Sequence, residues 1–564
     1  MPVQDPPLGA PARADAAPAA DRARERLLDA VALAMVAAVF ALPLRGLLRA
    51  QGPPMEEGFM LVFPELVLEG KVPNVDFLHL YGPGSLWALA AVYKVFGVSL
   101  LTERLFGLAQ QMAVVFGIFL LARPWGRRLA VSCALVSALC IVPFGLTALA
   151  WVGAVGLALV GLAAVCAGRS VPDGRAARRR VLLGGVALGA ALTFRLDLVV
   201  AVGLATVASL PGLAPRERNR LLGGIALGVS PYLVHVAMAG PRNVVEGMVL
   251  DPVFRLRGGR SLPVPPNWTS PDGFLERAGA LEQLAWPLPE PSTAKQLFLG
   301  FFLLLGVVAL SLVVAVRAVR SEPSSHRARV LLVVSLFGAG LLPQALQRVD
   351  SAHFQWVGCV PIGFLPVVLF EIARRRAPGV ARGRLALASG AAVLALMVFV
   401  VPNFTVRRYA DYSAQTFGYH RTAHRIEHEG RIFYYGKADR AQAAARVVAA
   451  TARITRPGDR LFVGPVDLRR TPYSDAYLYH LLGDLEPATY YIEMDPGVAN
   501  APGSGLAEDL ASADVAILSA IWEDWDEPND SREVGSSEAA EVLARDFCLV
   551  DTFGDLYQLW RRCA

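Results

Sequence analysis

Apolar residues recur in long runs along positions 27–402, separated by short polar connectors. A helix of about 20 apolar residues crosses the hydrocarbon core of a bilayer. The pattern therefore predicts a polytopic α-helical membrane protein with about 11–13 spans. The runs lie near residues 27–48, 84–97, 101–122, 129–145, 147–168, 181–210, 221–239, 297–316, 329–346, 354–373 and 385–402.

Two of these runs depart from a simple span. The run 84–97 is short and carries Lys94, which predicts a partial or juxtamembrane helix. The run 181–210 is long enough for two short helices that turn at Arg195 and Asp197. Charges inside an apolar run are rare unless they pair or line a cavity. Both an Arg–Asp pair that holds the bundle and a functional pair fit this position.

The polar connectors predict the topology. Four of them are densely basic and indicate cytoplasmic loops: 169–180, 212–220, 317–329 and 373–384. Residues 1–26 are rich in Pro, Ala and charge, which predicts a disordered cytoplasmic tail. The transmembrane domain then covers 27–402, with outer loops at 49–83 and 240–296. An odd number of spans places the N-terminus inside and the C-terminus outside.

After residue 402 the pattern changes from long apolar runs to short alternating ones. An amphipathic stretch at 441–454 is followed by the β-like runs RLFVG, ADVAILSA and FCLVDTFGDLYQLW. This order predicts a small α/β domain over 403–564 on the extracytoplasmic face.

Composition agrees with a membrane protein and narrows the chemistry. Of the 564 residues, 54% are hydrophobic and 18% are charged, so the net charge of +6 is better explained by loop arginines than by a nucleic-acid partner. The six cysteines show no metal-ligand spacing, and we expect small buried side chains, with a Cys548–Cys563 disulfide as the alternative for an exported tail. No P-loop, HExxH or GxSxG motif occurs, which argues against ATP bound by this chain as the energy source.

The first outer loop carries the densest candidate chemistry. Residues 56–84 read EEGFMLVFPELVLEGKVPNVDFLHLYGPG and place five polar groups beside the bilayer: Glu56, Glu57, Asp76, His79 and Tyr81. Residues 59–70 predict an amphipathic helix in the headgroup region, which would bring both glutamates to one pocket. A carboxylate at such a low-dielectric boundary has a raised pKa and suits general-base catalysis. The alternative is interfacial anchoring, with the acids in water and Tyr81 in an aromatic belt.

Two further segments on the same predicted face are rich in arginine. The stretch 341–356 contains Arg348, Asp350 and His353 among glutamines, a set that suits an anionic phosphate or, alternatively, an ion pair that caps a helix. The stretch 250–266 contains Arg255, Arg257 and Arg260, which favours either a lipid-phosphate ligand or contact with anionic headgroups.

The acidic pair followed by G-x-V-P-x-x-D-F-x-x-x-Y-G-P (70–83) resembles the GT-C glycosyltransferases, which include protein O-mannosyltransferases and the lipid A aminoarabinose transferase. RVDSAH (348–353), the RxD at 195–197 and the C-terminal domain are similar to parts of the bacterial branch. The resemblance implies an inverting transfer from a polyprenyl-phosphate sugar to an acceptor at the outer face of the plasma membrane.

The resemblance also assigns roles to residues. The family's catalytic carboxylate falls on Glu56, with Glu57 following, and Asp76 matches the second acidic position. Arg348, His353 and an arginine of 255–260 become candidates for the cations that stabilise the departing phosphate. The implied partners are the lipid-linked donor, a polysaccharide, lipid or protein acceptor of the cell envelope, and the bilayer. No cofactor is expected, and the sequence leaves dependence on a divalent metal open.

Two rival functions remain open from the sequence. A transporter or flippase for lipid-linked sugars would share the intramembrane charges, but it would not need an acidic pair at the outer surface, and no inverted repeat is visible. A non-catalytic scaffold with a decayed site is the second rival. The presence of Glu56, Glu57, Asp76, Arg348, Asp350 and His353 argues against it.

Overall fold

The computed structural model describes residues 19–169, 174–270, 285–419 and 423–563. The described residues up to Thr416 form a helical bundle, and those from His424 onward form a C-terminal α/β domain. In the N-terminal half of the bundle the helices are α1 Ala19–Ala41, α2 Leu44–Leu47, α3 Glu56–Leu68, α4 Gly84–Phe96, α5 Leu100–Ala122, α6 Arg127–Ile141, α7 Ala150–Arg169, α8 Arg175–Phe194, α9 Val199–Ser209, α10 Pro215–Val229, α11 Pro231–Ala239 and α12 Pro241–Val245.

A π-helix over Glu246–Arg255 follows directly and leads into the second half of the bundle. There the helices are α13 Leu256–Arg260, α14 Thr293–Ser321, α15 His326–Gly340, α16 Leu342–Gln347, α17 Ser351–Gly358, α18 Pro361–Arg376, α19 Arg382–Phe399 and α20 Val406–Thr416.

The predicted polytopic helical fold is confirmed. Among the described residues, eight helices are long and apolar enough to cross a membrane, or nine if the bent pair α17–α18 counts as one span. The apolar runs of the sequence outnumber these spans, because two of the runs form shorter helices. Residues 84–97 form the 13-residue α4, and 181–210 break at Arg195 and Asp197 into α8 and α9, as the two charges predict.

One end of the bundle gathers the basic connectors. In the connector 317–329, Arg327 Nε donates to Pro124 O and Arg329 Nη1 donates to Pro211 O, each at 2.8 Å, and Arg374 of the connector 373–384 pairs with Glu322. Beside Pro124, Arg127 Nε lies 2.6 Å from Asp29 of α1. Residues 19–26, predicted as part of a disordered tail, instead extend α1, where the side chain of Glu25 also pairs with Arg127. The rest of that tail, 1–18, lies outside the described residues.

The C-terminal domain contains a mixed five-stranded sheet in the order β4-β3-β5-β7-β6 and a separate antiparallel hairpin β1-β2. The central strands β3 and β5 are parallel and almost fully buried, as is typical of a sheet covered on both faces. The elements are β1 His424–His428, β2 Arg431–Tyr435, α21 Ala438–Ile454, β3 Arg460–Pro465, α22 Tyr477–Leu481, β4 Glu486–Pro487, α23 Leu506–Ala511, β5 Val515–Ser519, α24 Glu538–Asp546, β6 Phe547–Phe553 and β7 Tyr557–Arg562.

The helix α3 joins the two parts of the molecule. The predicted helix is present, but the predicted position in the headgroup region is wrong, because most of its residues are buried against α4 and the C-terminal domain. Phe59 and Phe63 of α3 share one apolar cluster with Phe433 and Tyr477 of the domain. Gly58 lies so close to α22 that a Cβ there would meet Tyr477 N at 2.3 Å. The domain is therefore packed against the bundle at the end opposite the basic connectors.

Candidate active site

The two glutamates at the start of α3 point to different surroundings. Neighbouring residues of an α-helix diverge by about 100°, so consecutive side chains do not share a pocket. Arg104 of α5 donates from Nε to Glu57 Oε1 and from Nη2 to Glu57 Oε2, at 2.8 Å each. Both side chains are almost completely buried. The structure therefore places Glu57 in an ion pair that ties α3 to α5.

Glu56 faces the boundary between the bundle and the C-terminal domain. Tyr473 of the domain donates its hydroxyl to Glu56 Oε2, and Met55 N donates to the same Tyr473 oxygen at 3.2 Å. Burial raises the pKa of the Glu56 carboxyl, although the Tyr473 hydrogen bond and the charges of Arg260 and Arg348 oppose the rise. The residue nevertheless keeps accessible surface. This combination is what a general base requires.

Two more buried carboxylates come from the C-terminal domain. Glu493 and Asp495 are 3% and 2% exposed, and Arg260 Nη2 donates to Asp495 Oδ1 at 3.1 Å. Burial raises the pKa of both carboxyls, and the charge of Asp495 adds to the rise at Glu493, as does the charge of Glu56 to a smaller extent. Three acids and Arg260 thus interact within one region.

Arg348 lies at the same boundary and is extensively paired. Its Nη1 donates to Glu527 Oε2 at 2.8 Å and to Arg260 O at 2.8 Å, and its Nη2 contacts Glu527 Oε1 at 2.5 Å. Its Nε donates to Asp350 Oδ2 at 2.8 Å. Arg348 therefore joins the bundle to the C-terminal domain through Glu527, a residue that no local sequence pattern marks.

Asp350 and His353 form a helix cap. Asp350 Oδ1 accepts from the backbone N of His353 at 2.9 Å and lies 2.8 Å from its Nδ1, at the first turn of α17. For this segment the sequence left two alternatives open, a phosphate site and an ion pair that caps a helix. The contacts of Asp350 are those of the helix cap. The His353 ring retains some exposure and lies against Trp356.

Tyr81 connects the first loop to the charged break between α8 and α9. The Arg195 guanidinium lies 4.1 Å from the centre of the Tyr81 ring and forms a bidentate ion pair with Asp197 at 2.9 and 2.7 Å. Burial raises the pKa of Tyr81, and the charges of Glu493, Asp495 and Glu56 contribute to that rise. Tyr81 therefore borders the same acidic region.

Three predicted residues pair or pack with groups other than Glu56, Glu493 and Asp495, and a fourth is exposed. Asp76 is exposed and accepts from Val72 N at 2.6 Å within its own turn. His79 is buried against aromatic rings, and burial lowers its pKa to about 3. Arg255 pairs with residues of its own π-helix, and Arg257 is exposed. Across the ranges that the structure describes, no group of three or more His, Cys, Asp or Glu residues is placed to hold a metal ion.

Comparison with solved structures identifies the architecture. The chain superposes on ArnT from Cupriavidus metallidurans bound to undecaprenyl phosphate with a TM-score of 0.52, at 15% identity over 94% of this chain and 98% of that one. The apo state of the same protein gives a TM-score of 0.50 at 15% identity, over 96% and 98%. The chain has a GT-C fold. No protein-family model matches the sequence, and no curated protein matches it either.

The likeness in fold covers nearly the whole chain and agrees with the fold that the resemblance of residues 56–84 implied. The residues that sequence reasoning missed are those which the C-terminal domain contributes to the region around Glu56: Tyr473, Glu493, Asp495 and Glu527. The acidic pair in YIEMD (491–495) was a possible signal, because acids beside aromatic residues are rarely buried without a partner.

Proposed function

We propose that this chain is an inverting glycosyltransferase that moves a sugar from a polyprenyl-phosphate donor to an acceptor, with Glu56 as the general base. The observation that carries the proposal is the setting of Glu56. Its carboxyl lies deep between the bundle and the C-terminal domain of a GT-C fold, keeps accessible surface and has a raised pKa. A base with a raised pKa holds its proton more firmly after it has taken it from the acceptor.

The proposed step balances as a single displacement. The Glu56 carboxylate takes the proton of an acceptor hydroxyl, and the acceptor oxygen attacks the anomeric carbon of the donor sugar from the face opposite the phosphate. The bond between that carbon and the phosphate oxygen breaks, and polyprenyl phosphate leaves with the bonding electrons. Attack from the opposite face inverts the anomeric configuration.

The departing phosphate needs cationic partners. Arg260 and Arg348 are suitable candidates, because the positive charge of each lowers the pKa of Glu56. Both already hold carboxylates of the C-terminal domain, so a donor phosphate would join existing pairs rather than meet free cations. Stabilisation of charge that develops at the leaving group is the kind of contribution that accelerates such a step.

Glu56 is favoured over the other two candidate acids by their contacts. Glu57 uses both oxygens on buried Arg104, and removal of its charge would leave that cation unpaired. Asp76 is exposed and engaged in its own turn. Neither has the buried but accessible position that a base for an acceptor hydroxyl needs.

Two observations support an extracytoplasmic position for the C-terminal domain in a bacterial plasma membrane. The basic connectors gather at the bundle end opposite this domain, in keeping with the excess of arginine and lysine in cytoplasmic loops. In addition, Cys548 and Cys563 form a disulfide within the domain, and disulfides persist in oxidising compartments. This disulfide is the alternative that the sequence left open for Cys548 and Cys563.

The test is a transfer assay with the purified full-length protein in lipid nanodiscs. Radiolabelled polyprenyl-phosphate sugars are supplied with an extract of the cell envelope, and both polyprenyl phosphate and labelled acceptor are quantified. We expect the donor to be consumed and the two products to appear in equal amounts. If no polyprenyl-phosphate sugar is consumed, the enzyme assignment is wrong; if sealed vesicles instead move the donor unchanged across the bilayer, the transporter function replaces it.

A further inference from the structure

A second concave site lies on the side of the C-terminal domain that faces the π-helix Glu246–Arg255. It is a pocket of about 520 Å³, within the range of about 300–1,000 Å³ typical of small-molecule sites. Its walls are the inner side of the π-helix and the loop that follows β4 in the C-terminal domain. The residues that matter here are Asn74, Glu246, Asp251, Arg255, Tyr490 and Tyr491.

The charged groups of this pocket form a short network. Arg255 Nη1 donates to Asp251 Oδ1 at 2.8 Å and to Glu246 Oε1 at 3.0 Å. The Arg255 side chain is half-exposed, and its other guanidinium nitrogens have no partner within the part of the chain that the structure describes. Two carboxylates against one guanidinium leave a net negative lining. Such a lining disfavours a phosphate and offers both donors and acceptors to hydroxyl groups.

Aromatic and backbone surfaces complete the pocket. Tyr490 and Tyr491 meet edge to face with ring centres 5.1 Å apart, and Tyr490 is only half-buried. Tyr491 donates to Ser504 O at 2.6 Å, which fixes the glycine-containing loop 497–504 along the opposite wall. An aromatic face beside convergent polar groups is the usual arrangement in which a small polar ligand is held and oriented.

The pocket is connected to the region around Glu56 through two short stretches of chain. Asn74 donates to the backbone O of His79 at 2.8 Å, two residues before Tyr81. On the domain side, Tyr490 and Tyr491 line the pocket, and Glu493, two residues after Tyr491, interacts with Glu56.

The π-helix has an apolar outer side that suits a position at the membrane surface. Leu250, Val253 and Phe254 are exposed, whereas Glu246, Asp251 and Arg255 face the pocket. Apolar residues on one side and charged residues on the other are typical of a segment at the membrane interface. A ligand in the pocket would therefore sit at the bilayer surface, next to the proposed active site.

We propose that this pocket binds a neutral, hydroxyl-rich saccharide and serves as the subsite for the glycan part of the acceptor. The binding inference rests on the pocket itself; its role as an acceptor subsite rests on the proposed glycosyltransferase function. Arg255, which the sequence suggested as a donor-phosphate ligand, here becomes a residue that hydrogen-bonds sugar hydroxyls, and Tyr490 supplies a ring face for the sugar C–H groups.

The test is direct binding of neutral oligosaccharides to the full-length protein in nanodiscs, measured by saturation-transfer difference NMR without turnover. The probes are gluco-, galacto-, manno- and arabino-oligosaccharides, together with inorganic phosphate. We expect at least one oligosaccharide to bind. Arg255→Gln should weaken that binding by about tenfold or more and Tyr490→Leu by about two- to tenfold, because a hydrogen bond to a charged group contributes more than a packed ring.

The matched control is Arg545→Gln, which also removes an exposed arginine from an ion pair, here with Asp546, and which does not line the pocket. It should bind as wild type does. The proposal is overturned if no neutral oligosaccharide binds wild-type protein, if phosphate binds in preference, or if all three variants bind alike. Since binding is measured without turnover, loss of donor consumption in the transfer assay would refute the proposed function and leave the binding site in place.

Discussion

We expect the ion pair between Glu57 and Arg104 to stabilise the fold and to take no part in catalysis. Variants of Glu57 and of its neighbour Glu56 should therefore differ in thermal stability. Arg104 is buried to 2% exposure, with Nε and Nη2 on Glu57, Nη1 donating to Leu47 O at 3.3 Å, and the guanidinium 5.6 Å from the Tyr434 ring centre. Glu57→Gln leaves that cation buried without the carboxylate that pairs with it. Breaking such a pair from one side costs about 3–5 kcal/mol.

The assay is thermal unfolding of the purified protein in nanodiscs, with Glu56→Gln as the matched control. We expect Glu57→Gln to lower Tm by several degrees and Glu56→Gln to leave it nearly unchanged, because a glutamine oxygen can still accept from Tyr473. The double variant Glu57→Leu with Arg104→Met should recover most of the loss, since an apolar pair can replace a buried ion pair. A Glu57→Gln protein with wild-type Tm and no transfer activity would refute this reasoning and make Glu57 the catalytic residue.

Three further predictions follow from packing and charge. Gly58→Ala should loosen the C-terminal domain, because the new Cβ would meet Tyr477 N at 2.3 Å. Gly203→Ala has open space around it and should be neutral. The rate of limited proteolysis of the domain compares the two variants. Burial raises the pKa of Asp475 from 3.8 to about 6, so folding favours its protonated form. Stability should therefore fall as pH rises between those values, by about 3 kcal/mol, and Asp475→Asn should abolish that dependence in unfolding measured from pH 4 to 7. Arg348→Met leaves two buried carboxylates without their cation, so we expect a lower Tm; an unchanged Tm would show that this contact is dispensable.

Much of the fold follows from local pattern. The apolar runs predict the bundle, and two charges within one run predict the break between α8 and α9, since a single helix would have exposed Arg195 and Asp197 to hydrocarbon. The alternating runs after residue 402 predict an α/β domain. These signals are local because helix and strand periodicities reflect which face of an element is buried.

The surroundings of α3 could not be predicted in the same way. A short apolar helix with acids at its start has the same sequence pattern whether lipid or protein covers it. Its burial depends on Tyr477 and other residues more than 400 positions away in the chain. The hydrogen bond from Tyr473 to Glu56 likewise spans 417 positions.

The separation of Glu56 from Glu57 was within reach of the sequence. The predicted helix began at residue 59, whereas α3 begins at Glu56. Adjacent positions on a helix point in different directions, so the expectation of one pocket for both acids is wrong. The partner of Glu57 also left a trace, because Arg104 is a cation at the edge of the apolar run 101–122. A buried cation in such a run indicates a carboxylate partner on a neighbouring helix.

The central claim is that Glu56 removes the proton from the acceptor. The most direct measurement is the initial rate of sugar transfer by Glu56→Gln, at saturating donor and with the Tm of each preparation shown to be equal. The account predicts a loss of at least about 100-fold, the usual contribution of a general base. A rate within twofold of wild type, in a folded protein that still consumes the donor, would contradict it.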